Sequence, residues 1–139
     1  MENIEKAARL LKENDLTCAI CGEGIEYTSM LRGVQPLLRP YEEGKSFVGC
    51  SAADRVIGKA AACLYVLLGV EHIYAGIVSK PAKEIFEKNG IALDYDMLVE
   101  LIENRDRTGL CPMETAVIDV VDPQEAPGLI RKALEKLRE

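Results

Sequence analysis

Ile4, Ala7, Ala8, Leu10 and Leu11 recur at helical spacing and the pattern stops at Asn14, which predicts an amphipathic helix over residues 3–14. Two short apolar runs, 16–21 and 25–28, flank Gly22-Glu23-Gly24 and predict a β-hairpin whose glycines can take positive φ. Residues 32–50 contain Pro36, Pro40, Gly44 and Gly49 and read as a long connection with at most one turn of helix, a length at which loops often serve as lids or binding elements. From 52 to 68 the apolar positions fit one long helix that ends before Gly69, a residue suited to a left-handed cap.

The next run, 73–78, is nearly continuous apolar sequence, as expected of a central strand covered on both faces. A short helix over 81–89 and a strand over 91–95 follow. The remaining pattern predicts helix over 97–104, a polar loop over 105–109, helix over 112–120 and a last helix from Asp122-Pro123. The last helix has Leu129, Ile130, Ala133, Leu134 and Leu137 as its apolar face. These elements define an α/β chain: one domain over 1–139, folded as a three-layer α/β/α sandwich around a mixed sheet of about four to five strands.

Composition narrows the function. With 48% hydrophobic residues, the 139-residue chain can bury a sizeable core. A net charge of -6 without a basic stripe argues against nucleic-acid binding but leaves room for a small anionic ligand in a local basic pocket. No apolar run approaches the roughly 18–20 residues of a membrane span, and the N-terminal residues do not resemble a signal peptide, so no membrane partner and a cytoplasmic location are expected. Five cysteines, an odd number, fit reduced thiols there.

Cys18-Ala-Ile-Cys21 has the C-x-x-C spacing of redox and zinc sites. On a strand, however, positions three apart face opposite ways and the two thiols cannot converge. The chain has a single histidine, His72, at the start of a buried strand, so Cys18, Cys21 and His72 read as structural and no metal or cofactor is expected.

Two helix starts carry candidate chemistry. Ser51-Ala-Ala-Asp54 fits a capping box, which by itself accounts for both polar residues. On the same helix Asp54, Arg55, Gly58, Lys59, Ala62, Tyr65 and Val66 share one arc that is charged only in its first two turns. Asp54 and Lys59 therefore read either as the mouth of a covered, ligand-binding region or as the capped, partly solvated edge of a helix. At the second start, Cys111 precedes Pro112 where a helix dipole lowers a thiol's pKa, with Arg105 and Arg107 nearby. Cys111 reads as a nucleophile or ligand contact, or as an inert buried thiol; Glu114 in the first turn is equally explained by the dipole.

The run Cys50-Ser-Ala-Ala-Asp-Arg-Val-Ile-Gly-Lys-Ala-Ala-Ala62, the strand Tyr74-Ala-Gly-Ile-Val-Ser79 and the late Thr108-Gly-Leu-Cys-Pro-Met-Glu114 together resemble a family catalogued as domain of unknown function 1893. That resemblance implies a cytidine-deaminase-like fold. Deaminases of that fold place His-x-Glu at the start of the helix after the hairpin and Pro-Cys-x-x-Cys at the next helix, where they hold zinc. Set against these motifs, residues 52–54 and 81–85 carry no zinc ligand, and Asp54 takes the place of the proton-transfer carboxylate. The resemblance therefore implies a metal-free relative that binds a small nucleotide-like or anionic ligand. Asp54, Lys59, Cys111 and Glu114 are its candidate catalytic groups, and Ser51, Arg55, Arg107 and Thr108 its candidate ligand contacts. Non-deaminase catalysis, a non-catalytic metabolite sensor and a protein-interaction module whose charges serve as a helix cap all stay open, and homo-oligomerisation is compatible with each.

Overall fold

A computed structural model describes residues 2–103 and 109–138. Helix α1 (Asn3–Glu13) leads into the hairpin β1 (Cys18–Gly22) and β2 (Ile25–Ser29). The chain continues through α2 (Gln35–Glu42), β3 (Ser51–Ile57), α3 (Lys59–Leu68), β4 (His72–Ser79), α4 (Lys80–Lys88) and β5 (Ala92–Val99). It ends with α5 (Pro112–Ala116), a 3-10 turn over Pro123–Glu125 and α6 (Ala126–Arg138). Five strands form one mixed sheet in the order β2-β1-β3-β4-β5. β1 runs antiparallel to both β2 and β3, while β3, β4 and β5 are mutually parallel.

Helix α1 covers one face of the sheet, burying Ala7 and Leu11 against Ala19, Cys21 and Ala53. The opposite face packs Cys18, Ile20, Ala52 and Ile73 against α2, α3 and α4, with Val117 and Ile130 of the C-terminal part in the same cluster. The chain is thus an α/β/α sandwich, and the strand alternation sends Cys18 and Cys21 to opposite layers as their spacing requires.

Three segments differ from the sequence pattern. Residues 51–57 form the middle strand β3, and the helix begins only at Lys59 after the extended Gly58. The alanines that suggest a helix here serve close packing instead, since Ala53 lies under α1 and Ala52 under the α3 layer, both fully buried. Ser51 and Asp54 consequently form no capping box; the one observed is Asp122 with Glu125 at the 3-10 turn. Residues 52–54 thus lie inside a strand, and the helix after the hairpin is α2, with α3 the next; residues 81–85 lie on α4.

Two prolines do not prevent α2. Pro36 sits in its first turn and Pro40 in its interior, where it leaves the Pro36 carbonyl without a helical donor. The Tyr27 hydroxyl donates to that carbonyl at 2.6 Å and supplies what the proline cannot. Finally, the apolar run beginning at Met97 continues β5 to Val99 instead of starting a helix. Among the described residues no helix is long and apolar enough to cross a membrane.

Candidate functional site

At the C-terminal end of β3 the chain turns through Gly58 into α3, and the first residues of α2 lie alongside. A cavity of about 430 Å³ opens there, lined by Val34 and Pro36 of α2, Asp54 and Val56 of β3, Ala60 and Ala61 of α3, and Cys111 and Glu114 at α5. Clefts of this kind, beyond strand C-termini and beside helix N-termini, are common ligand sites in α/β folds.

Asp54 Oδ2 accepts a hydrogen bond from the Tyr65 hydroxyl at 2.7 Å, and Oδ1 accepts a long one of 3.3 Å from the Val56 amide. Burial pushes the Asp54 carboxyl up to about 7, against the downward pull of these hydrogen bonds and of the nearby Arg55 charge. Tyr65 is itself fully buried and lies 3.2 Å from the Cys18 sulfur, on the strand position paired with Asp54. Desolvation raises the pKa of both Cys18 and Tyr65. Of these three hydrogen-bonded groups, Asp54 is the one brought near neutral pH.

Glu114 is buried but its polar capacity is used differently. Its two carboxylate oxygens accept from the amides of Lys59 at 2.8 Å and Ala60 at 3.2 Å, capping α3 from another part of the chain. Burial raises its pKa and the two amides lower it. Gly58 makes this possible: a Cβ there would lie 1.4 Å from Glu114 Oε1.

The other residues singled out in the sequence separate. Cys111 lines the cavity, half-buried, at the start of α5. Arg55 reaches the cavity wall, yet its guanidinium donates to the carbonyls of Leu11, Asn14 and Leu16 and so holds the end of α1. Lys59 does not line this cavity; its ammonium donates to the Ile118 carbonyl at 3.0 Å. Ser51 lies at the opposite end of β3, in a shallow cleft with Glu2 and His72. Arg107 and Thr108 lie outside the described residues. Tyr65, Thr17, Arg32 and Gly58 are the site residues that the sequence reading left out of its candidates. Tyr65 and Gly58 gave a signal, Tyr65 as the one hydroxyl in an otherwise apolar stretch and Gly58 as a small residue on the charged arc.

The described residues hold no group of three or more histidine, cysteine, aspartate or glutamate side chains placed to bind a metal ion. Fold and site together define a mixed α/β sandwich whose largely apolar cavity holds two carboxyls raised by burial, Asp54 and Glu114. The chain belongs to the family described as TM1506, domain of unknown function (DUF1893), whose model matches residues 6–134. It is similar to the crystal structure of a DUF1893 family protein, TM1506, from Thermotoga maritima. The TM-score is 0.83 at 27% sequence identity, over 98% of this chain and 91% of that one. The comparison with curated proteins gives no match.

Proposed function

We propose that the cavity at the C-terminal end of β3 binds a small molecule without zinc, on a frame related to the cytidine deaminases, and that Asp54 exchanges a proton with the ligand. The starts of α2 and α3, where deaminases carry their zinc ligands, both border the cavity, which supports the relation in frame. The residues there are Val34, Gln35 and Pro36 on one helix and Gly58, Lys59 and Ala60 on the other, a set without the histidine or thiolates that zinc requires. The α3 amides, moreover, are already taken by Glu114.

The observation that carries the reading is Asp54: a carboxyl poised near pH 7, oriented by a buried tyrosine and facing a largely apolar cavity. A proton donor or acceptor with that pKa is suited to general acid–base work at neutral pH. Two carboxyl groups inside the cavity disfavour an anion there, whereas Arg32 lines it at an exposed position suited to a ligand's negative group. The ligand is therefore a neutral hydrogen-bonding head, such as a heterocycle, with any charge held outside.

A thermal-shift panel of nucleobases, nucleosides and nucleotides tests this. A member that raises the melting temperature of the wild type and not of Asp54→Asn supports the reading. If every member leaves both proteins alike, the use of Glu114 as a helix cap favours the second reading, a module without a ligand.

A further inference from the structure

Val56 stands at the edge of the cavity. That residue and Ile102 also line a second, more open groove of about 890 Å³, which runs over the sheet toward its β5 edge. Its floor is a cross-strand row, since Val56 pairs with Ile77 and Ile77 with Met97 in the parallel register. Residues in register point to the same face, so the row spans two strand spacings, about 10 Å. Its exposed members are large: Val56 is 46% and Met97 55% accessible, and the neighbouring Leu101 46%. A contiguous apolar strip leaving a cavity mouth is unusual for a surface that serves only solvent.

We infer that the cavity and the groove form one site for a neutral amphipathic molecule, with an amide-like polar head at Asp54 and an apolar arm laid along Val56, Ile77 and Met97. This rests on the proposed binding role of the cavity. Val56 and Ile102 line both spaces, so the two adjoin and lie within reach of one extended molecule. Charge decides its chemistry at both ends. Asp54 and Glu114 inside the cavity disfavour an anionic head, while Arg55 is held by backbone carbonyls and Arg32 is exposed. Among the described residues of the groove Glu100 and Glu103 disfavour an anionic tail, so a neutral amide suits both ends better than a carboxylate. Lys80, already paired with Glu100 at 2.6 Å, does not reverse that sign.

A series of unbranched primary amides from acetamide to octanamide, followed by NMR titration of the full chain, tests the inference. Affinity for the wild type is expected to rise about two- to four-fold per methylene, as partial to full burial of each group implies. Met97→Lys and Leu101→Ser, both at exposed positions, should flatten the dependence on chain length while acetamide still perturbs Asp54. Asp54→Asn should weaken every amide alike. If acetamide perturbs Asp54 and longer amides bind no better, the inference is overturned and the cavity reading stands. If no amide of any length perturbs Asp54, the inference is overturned, and the cavity reading is decided by the nucleobase and nucleoside panel. A wild-type dimer that Met97→Lys turns into a monomer would also overturn it, by assigning the strip to a second copy of the chain.

Discussion

The two carboxyl groups of the cavity, Asp54 and Glu114, respond to burial in the same direction and are used in opposite ways. Glu114 gives each oxygen to a backbone amide at the start of α3, so its charge is held by the fold. Asp54 has one good donor, Tyr65, and one marginal one, and its pKa stands at about 7 instead of the ordinary 3.8. A buried acid surrounded by sufficient donors keeps its charge in place, and one left short of them keeps a raised pKa. The cavity therefore has a supporting corner at α3–α5 and, on the function proposed above, a chemical wall at β3.

The supporting corner should break first. Gly58→Ala places a methyl group where Glu114 Oε1 stands and is expected to cost about 4 kcal/mol in urea unfolding. In a Glu114→Ala background, itself weakened by about 2 kcal/mol, the same change should cost about 1 kcal/mol. Equal costs in both backgrounds would remove Glu114 from its place at the α3 terminus.

At the chemical wall the sign reverses. The folded carboxyl of Asp54 takes its proton near pH 7 and the unfolded one near 3.8, so between these values the native state holds more protons. Its contribution is most favourable below about pH 4 and is lost as pH rises toward 7. Asp54→Asn, which keeps an acceptor for Tyr65 and discards the charge, should stabilise the protein by about 3 kcal/mol at pH 8 after allowance for partial solvent access. At pH 4 its stability should match the wild type within about 1 kcal/mol. A substitution that is destabilising at both pH values would contradict this role.

Smaller effects separate the two regions further. Tyr65→Phe removes the donor that holds Asp54 down, so the Asp54 midpoint should rise, with a stability loss of about 1 kcal/mol from one buried hydrogen bond. Lys59→Met loses the bond to the Ile118 carbonyl and a charge that pulls the Glu114 pKa down, and should cost about 1 kcal/mol, leaving the Asp54 midpoint where it is. A midpoint moved by Lys59→Met would bring that lysine back into the site.

Much of the frame was legible because its signals are local. The α1 stripe, the glycines of the hairpin and the apolar run of β4 each announce one element. The central strand was not, because its alanines and the following apolar residues share a helical period that runs on through Gly58 into α3. Only the partners on either side, β1 and β4, make 51–57 a strand, and those are long-range contacts. Helix α2 was hidden for a similar reason: the bond that makes Pro40 tolerable comes from Tyr27, on another element.

For the site, the sequence singled out Asp54, Cys111 and Glu114, which the fold brings to one cavity. It grouped Lys59 and Ser51 with them because a helix starting at 51 would put all of these at one end. On a strand, Ser51 and Asp54 are separated along its length, and Lys59 falls on the far side of the α3 terminus. Tyr65 could be ranked only once its helix was known to lie over β3, with its hydroxyl against Asp54.

The direct test of the reactive wall is a carbon-13 NMR titration of the Asp54 carboxyl in the folded protein, assigned by Asp54→Asn. A midpoint near pH 7 is the expected result. A midpoint near the ordinary aspartate value of about 4 would contradict it, leaving the cavity with two settled carboxylates and no group poised for chemistry.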